Sequence, residues 1–451
     1  MGRGRVAVLG GGLAGITAAL DCAAGGAEVT LVEVRPRLGG AAYSFRRDGL
    51  WLDNGQHVFL RCCSAYRELL ARIGSAPDTF LQERLSIPVL APGRGVAWLR
   101  RTNLPAPLQL AGSLLRYPYL SLPERLMAAR AMVALRGVEF DDRVADERSF
   151  GTWLEQQRQG PRALDALWQL IARPTLNLSA PEASLAAAAF VFKVGLLERA
   201  DAGDIGYARR PLQSVHGDPA LESLHGCGVD VRLGLRAEAI EASAGRVRAV
   251  AAQGERLDAD AVVLAVPHER AVGLLPQGAL RDPGELERLG SSPIINLHVI
   301  YDRPVLRFEF AAAVGSPVQF VFDRTVSSGV PRGQCVAVSL SAAEEEARMN
   351  AEELRARFLP ALRELLPDAG SAQVQEFIVT REHAATFRAA PGVRRLRPGP
   401  RTAIDGLALA GAWTDTGWPA TMEGAVRSGH KAAEVALASL GHERAISSTV
   451  A

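Results

Sequence analysis

Gly10, Gly12 and Gly15 fall in the spacing G-x-G-x-x-G at the end of an apolar run, Arg5 to Leu9, and that spacing suits a bound diphosphate. The first glycine permits the tight turn, the second lets a pyrophosphate approach the backbone, and the third lets a helix lie close to the strand. The N–H groups of that helix, which opens with Leu13 and Ala14, would then face the phosphates. Glu33 follows about 20 residues on, where a carboxylate accepts hydrogen bonds from a ribose hydroxyl and disfavours a 2′-phosphate. Beyond it Val34 to Gly40 (VRPRLGG) form a basic, glycine-ended turn. Arg37 would reach the pyrophosphate, and Gly39 with Gly40 would let a flat ring lie against the backbone. The chemistry expected of this stretch is dinucleotide binding.

Such a site needs a strand, a turn, a helix and a second strand in register. Arg5 to Leu9 suit a strand buried on both faces of a parallel sheet. Ala14 to Ala24 are small and apolar, and Gly25-Gly26 stop that helix before the strand Glu28 to Glu33. A nicotinamide-binding domain would continue by alternating strand and helix. This chain departs from that order: Ala42 to Arg46 alternate, and Leu50 to Leu60 contain Leu52-Asp53-Asn54-Gly55-Gln56-His57.

At 451 residues the chain has enough core for one large or two to three ordinary domains. Fifty-one basic against 49 acidic side chains, net +2, give no field that argues for nucleic acid. The five cysteines (Cys22, Cys62, Cys63, Cys227, Cys335) are odd in number and contain no C-x-x-C pair. This favours a reducing, cytoplasmic setting and no metal site. Cys62-Cys63 reads as two buried small hydrophobes rather than a redox pair. The N-terminus enters the first strand without a cleavable signal, and no apolar run reaches the length of a membrane span.

Along the rest of the chain, Ala65 to Ile73 read as a short amphipathic helix, followed by an irregular, Pro-rich region to about residue 107. Leu104 to Ser121 carry a single charge, Arg116, and suit either an interfacial patch on the inner face of the cytoplasmic membrane or a wall of the core. Helices are expected over Leu122 to Leu135, Ser149 to Gln157 and Ala163 to Leu170, with an apolar Ala-rich run from Leu176 to Leu197. Pro211 to His225 lead as a helix into a strand, Val229 to Leu233. Arg246 to Ala252 and Gly254 to Leu257 suggest a hairpin, and Ala261 to Val266 a buried strand. Ile294 to Tyr301, Val318 to Phe322 and Cys335 to Leu340 suggest an antiparallel sheet. A long helix, Ala342 to Leu366, and a strand, Val374 to Thr380, close it. Leu407 to Gly411 supply one more strand, then a loop, Ala412 to Ala420, feeds a small-residue helix from about Thr421.

Four stretches spread over most of the chain resemble the FAD-dependent amine oxidase and phytoene desaturase superfamily. They are the glycine turn with Glu33 and RLGG, LDNGQH, the RLGLRAEAI and VVLAVP strands, and the closing AG-W-T-TG-PAT-EGAVRSG. Within it, LDNGQHVFL, PTLNLSAPEAS and TGWPATMEGAVRSG are similar to the bacterial hydroxysqualene dehydroxylase family. The resemblance implies an α/β fold of the amine oxidase or glutathione reductase type: a discontinuous Rossmann-like FAD-binding domain (1–75, 206–285 and 396–440) with an α+β substrate domain (76–205 and 286–395) and a flexible tail (441–451). It implies FAD as cofactor, a long isoprenoid lipid as substrate, and reductive replacement of an allylic hydroxyl by hydrogen to give squalene. Residue by residue it implies that Gly10, Gly12 and Gly15 hold the diphosphate, Glu33 the adenosine ribose and Arg37 the region beside it. Ala237 stands where a valine backbone commonly reads adenine. Met422 opens the last helix beneath the pyrimidine end of the flavin, and Gly411 belongs to the same cofactor loop. Ala412 stands where the family has an Asp for the ribitol and phosphate, and Asp415 is a candidate to compensate.

The implied reaction needs a proton for the departing water, and the titratable groups offered are His57 and Asp53 of LDNGQH and Asp415 of the final loop. His57 is the first choice because its ordinary pKa suits proton donation near neutrality, and Asp53 reads as structural. Trp413 and Trp418 read as packing residues. One dinucleotide fingerprint leaves the electron donor to a free carrier or a partner protein. The competing readings are a polyisoprene desaturase with opposite electron flow, an amine oxidase, for which no aromatic cage or acidic anchor is evident, and a prenyl-lipid binding protein without redox chemistry.

Overall fold

The computed structural model describes residues 4–441, so nearly all of the expected tail at 441–451 lies outside the described residues. Five short strands rich in Val, Ala and Leu form a parallel sheet. Its order is Asp230–Leu233, Glu28–Glu33, Arg5–Leu9, Ala261–Leu264, Leu407–Leu409. Val6 stands opposite Val29 on one side and Ala261 on the other. Strands far apart in sequence therefore meet in one layer, buried on both faces as their continuous apolar runs require. The first helix, Leu13–Ala24, packs on the closing helix, Met422–Ser439. A Cβ at Gly429 would lie 2.4 Å from the Ala14 carbonyl, so only glycine lets the two helices approach this closely.

The second large layer is a seven-stranded sheet in the order Val374–Thr386, Ser292–Tyr301, Gln334–Ser341, Phe320–Asp323, Phe310–Ala313, Ser86–Leu90, Ala97–Arg100. Ser86–Leu90 and Ala97–Arg100, with Thr79–Leu81 nearby, correct the expectation of an irregular region before residue 107. Pro88, paired opposite Trp98, breaks the usual strand signature. The covering helix runs Ala351–Leu365, shorter than the expected Ala342 to Leu366. Asn350 Oδ1 accepts from the N–H groups of Glu352 and Glu353 at 2.9 and 3.0 Å, and Glu353 answers by accepting from Asn350 N. That capping box fixes the start. Ahead of it, Ala342 adopts a φ of +49° and donates its N–H to Asn177 Oδ1.

A helical layer holding Leu122–Leu135, Phe150–Gln156, Gln169–Leu176 and Leu185–Phe192 closes over Phe150, Trp168 and Phe192. Their ring centroids lie 5.2–5.9 Å apart. LDNGQH is not one strand. Leu50–Asp53 pairs with Ser44–Arg47, Asn54 to His57 turn, and Val58–Leu60 pairs with Ile205–Ala208. No helix of the described residues is long and apolar enough to cross a membrane.

Candidate dinucleotide and substrate site

The glycine turn sits at the carboxyl end of the central strand. Gly10 has a φ of +110°, and a Cβ there would lie 2.5 Å from the Ala265 carbonyl. A Cβ on Gly15 would lie 1.8 Å from the Gly10 carbonyl, whereas one on Gly12 would meet nothing closer than the Gly40 Cα at 3.7 Å. Gly10 and Gly15 are thus demanded by the fold, and Gly12 by whatever approaches the turn. No side chain caps the helix at Gly12, which leaves the first-turn N–H groups of Leu13 and its neighbours available to an anion. The RLGG turn is tied to this one: Gly39 N donates to the Gly11 carbonyl at 2.9 Å, and a Cβ on Gly40 would lie 2.6 Å from the Gly12 Cα.

Glu33 is buried at the end of its strand. Its Oε2 accepts from Gly11 N at 2.6 Å and its Oε1 from Arg35 N at 2.8 Å; each oxygen retains capacity for a further donor. Gly234 and Leu235 donate to the carbonyls of Arg35 and Glu33, which brings the start of the strand Ala237–Ser243 beside the carboxylate. Arg37 lies with its guanidinium 3.5 Å from the Tyr43 ring centroid and close to the Gly40 carbonyl. Burial pushes its pKa down.

At the edge of the same parallel sheet lies the loop after Leu407–Leu409. Gly411, with a φ of +135°, donates to Ser428 Oγ at 2.8 Å. Trp413 is buried and bonds the Val266 carbonyl, so it packs, as does Trp418 against Phe190. Arg397, which no sequence spacing singled out, organises this loop. Its Nε donates to the Trp413 carbonyl, and its Nη2 to the carbonyls of Ala412, Thr414 and Trp418 at 3.2, 2.6 and 2.8 Å. Burial pushes its pKa down to about 10. Asp415 accepts from Gly417 N and faces Arg394 at 3.8 Å. Its carboxylate thus takes part in shaping the turn. Thr421 caps the closing helix through Gly424 N at 3.1 Å, leaving the N–H groups of Met422 and Glu423 at its tip. Glu423, also missed, reaches back to accept from Ala65 N and Tyr66 N, capping the helix Ser64–Arg72.

A buried polar cluster is built on LDNGQH against the seven-stranded sheet. Asp53 Oδ1 accepts from Ser44 Oγ at 2.6 Å and Leu212 N at 3.1 Å. Its Oδ2 pairs with Arg324 Nη2 at 2.5 Å. Asp53 thus joins distant segments and is not a free acid, which corrects its place among the proton donors. Asn54 ties the turn to the seven-stranded sheet, donating to Glu382 Oε1 at 3.0 Å while its carbonyl accepts from Asn296 and Thr380. Burial holds His57 below the ordinary histidine range, with Asp53 and Glu382 opposing; it is neutral at pH 7. This burial works against the expected use of His57 as a proton donor near neutrality. His216 and His298 are pushed down to about 4, also by burial. His216 Nδ1 donates to the Ala42 carbonyl, so Nε2 accepts from Tyr66 OH at 2.7 Å. Cys62 and Cys63 are half-buried rather than buried, and all five cysteines are free.

A family described as flavin containing amine oxidoreductase matches residues 13–437. Hydroxysqualene dehydroxylase of Rhodopseudomonas palustris is 31% identical over 441 residues, covering 96% of this chain and 98% of the relative. A 15-cis-phytoene desaturase of Narcissus pseudonarcissus is 26% identical, over 95% of this chain and 78% of the relative. Among solved structures, cyclohexylamine oxidase from Brevibacterium oxydans superposes with a TM-score of 0.73 at 19% identity, covering 98% and 100% of the two chains. An oxidoreductase from Methanosarcina mazei superposes at 0.74 with 17% identity, covering 95% and 100%. These structural likenesses are of fold.

Proposed function

The chain belongs to the flavin containing amine oxidoreductase family as an FAD-dependent oxidoreductase, and from that membership we propose that it replaces the allylic hydroxyl of hydroxysqualene with hydrogen, giving squalene. The observation that carries the reading is the end-to-end match to the Rhodopseudomonas relative. The residues at the glycine turn fit FAD. Gly12 is the position that the local fold leaves open, the first helix is uncapped, and Glu33 stands beside the turn. Gly10, Gly12, Leu13, Ala14 and Gly15 would hold the diphosphate, Glu33 the ribose, the Ala237 backbone the adenine, and Gly39, Gly40, Gly411 and Met422 the flavin end.

Bound and fully reduced, FAD would supply the two hydrogens of the reaction, a hydride to the allylic carbon and a proton with which the hydroxyl leaves as water. The N–H groups of Met422 and Glu423 favour negative charge at the tip of the closing helix, and Arg397 fixes the loop beside it. Neutral His57 offers one donor and one acceptor to a substrate hydroxyl and positions it. Anaerobic incubation of dithionite-reduced enzyme with hydroxysqualene should yield squalene by gas chromatography. No squalene, together with oxidation of a polyene by the oxidised enzyme, would favour the second reading, a desaturase, for which the Narcissus match speaks.

A lipid substrate calls for access to a bilayer, and residues 94–136 carry a surface suited to it. Leu104, Leu108, Leu115, Leu122, Leu126 and Val133 are 49–58% exposed. Leu122, Leu126 and Val133 share one face of their helix, flanked by exposed Arg130 and Arg136. The segment contains seven arginines and one acidic residue, Glu124. Apolar knobs within a basic rim suit an anionic bilayer surface. The patch thus extends beyond the expected 104–121, while Tyr117 and Tyr119 turn inward and are buried. Flotation with phosphatidylserine vesicles should carry the protein up, and Leu122→Ser with Leu126→Ser should leave it at the bottom. Equal flotation of both proteins would refute the patch.

A further inference from the structure

Gln56, Tyr207 and Arg324 share the lining of one small void with Asp53, His57 and Phe322 among its other walls, where the strands Val58–Leu60 and Ile205–Ala208 meet the seven-stranded sheet. Each of the three carries a buried polar atom with no hydrogen-bond partner: Gln56 Nε2, Tyr207 OH and Arg324 Nε. Arg324 is otherwise fully used, its Nη1 on the Ala208 carbonyl at 2.7 Å and its Nη2 on Asp53, so its orphan Nε is held in place by its own two anchors. Buried polar atoms in folded proteins are almost always paired. Three orphans on one cavity wall mark a missing partner.

The chemistry of that partner follows from the orphans. Gln56 Nε2 and Arg324 Nε are donors only, and the Tyr207 hydroxyl can donate or accept. The ligand is therefore an acceptor oxygen. The void leaves about 10 Å³ for the centre of a water-sized sphere, which is room for one oxygen atom. Two of the lining rings, Tyr207 and Phe322, join an aromatic run: Tyr207 packs on Phe80 and Phe310 at 5.4 and 5.9 Å, and Phe310 on Phe322 at 6.0 Å. A polar point set against an aromatic run fits one hydroxyl on a long hydrocarbon.

We propose that Gln56, Tyr207 and Arg324 form an oxygen pocket that holds a water when the enzyme is free and the hydroxyl oxygen of a long-chain allylic alcohol when substrate is bound. This rests on the proposed dehydroxylation for the identity of the alcohol. It adds the groups that tell an alcohol from the hydrocarbon product, since the orphans are satisfied only by a ligand that brings an oxygen.

The test compares the affinity of oxidised holoenzyme for hydroxysqualene and for squalene, by quenching of tryptophan fluorescence in detergent. The wild-type protein should prefer the alcohol, and Tyr207→Phe and Gln56→Met should each lower that preference about threefold to tenfold, the worth of one hydrogen bond, with flavin absorbance unchanged. A crystal structure of the wild-type holoenzyme supplies a readout that does not depend on how the variants fold: an ordered water within hydrogen-bond distance of Tyr207 OH supports the pocket, and an empty void overturns it. Variants that keep the full preference overturn it, as does a water that stays in place when the alcohol is bound. Wild-type enzyme that prefers the alcohol through these residues yet forms no squalene would sink the proposed reaction and leave the pocket standing.

Discussion

Replacing Arg397 by Met should loosen the loop Ala412 to Ala420, which we propose meets the flavin end of FAD. Arg397 is the donor to four main-chain carbonyls of residues 412–418, and it has no carboxylate partner at hydrogen-bond distance. A buried acceptor stripped of its donor costs about 1–3 kcal/mol. The two short bonds, to Thr414 and Trp418 at 2.6 and 2.8 Å, therefore represent about 2–6 kcal/mol, and the two longer ones add about 1–2 kcal/mol together. Against this, removing the guanidinium relieves the penalty of burying its charge. A pKa lowered from 12.5 to about 10 corresponds to about 3 kcal/mol. At mid-range the lost bonds win, with a net destabilisation of about 2–3 kcal/mol within a span of about 0–5 kcal/mol, a sizeable share of the roughly 5–15 kcal/mol of a typical domain. Urea unfolding gives the stability, and the ratio of flavin to protein absorbance gives the occupancy. Both should fall in Arg397→Met. Arg397→Lys should lie between, because a single ammonium cannot reach four carbonyls fanned around a planar fork. A Met variant within about 1 kcal/mol of wild type and fully loaded with flavin would show that something other than Arg397 holds the loop.

Gly12→Val and Gly15→Val should separate cofactor binding from folding. Gly12 has an ordinary φ of −78° and open space around a Cβ, so its variant should fold by circular dichroism and purify colourless, whereas Gly15→Val should yield little soluble protein. A yellow Gly12→Val would sink the cofactor site. Acidification gives a third expectation. His216 and His298 titrate at about 4 in the fold against about 6.5 unfolded, so the unfolded state takes up the protons first. Their contribution is complete above about pH 6.5 and is lost toward pH 4, about 3 kcal/mol for each histidine. Urea midpoints over that range should flatten in His216→Gln with His298→Gln, and identical slopes would remove the histidines as the cause. His57→Asn should retain FAD and lose most turnover, since the side chain lies against the void and outside the diphosphate turn. Unchanged turnover would take His57 out of the mechanism.

The glycine turn was legible in the sequence because its demands are local. A turn with φ of +110° and a helix pressed onto a strand each leave a glycine at a fixed spacing. The same holds for the strands at Ala261–Leu264 and Leu407–Leu409, whose apolar runs announce burial on both faces. What escaped notice is what long-range contact creates. Arg324 meets Asp53 from the far side of the molecule, and Arg397 finds its carbonyls only once the final loop has folded back. Neither arginine differs in spacing from a solvated one. His57 was located, yet its state could not be read, because the burial that lowers its pKa comes from elements hundreds of residues away. The helix start at Ala351 shows the reverse failure: the signal, Asn350 followed by Glu353, was present and local, but the charged run before it read as more helix.

Ala412 offers the last test, because the structure separates the shape of the loop from its chemistry. Its carbonyl is held by Arg397 and its side chain is half-buried, so the methyl group does nothing to fix the backbone. Asp415 does not replace the missing carboxylate, being turned to Gly417 and Arg394. Ala412→Asp should therefore leave the fold unchanged and supply a charge-assisted hydrogen bond to the ribitol. Such a bond contributes about 1.5–3 kcal/mol, or roughly tenfold to a hundredfold in FAD affinity. The guanidinium of Arg397 beside it is the competing partner, and an Asp captured there would lose the gain. Titration of flavin-stripped protein with FAD, followed by flavin fluorescence, decides between them. A tighter dissociation constant means the loop already has the geometry for the contact and lacks only the group. An unchanged constant with raised urea stability means that the new carboxylate has paired with Arg397, and the resemblance of this position to its family counterparts would then be one of sequence alone.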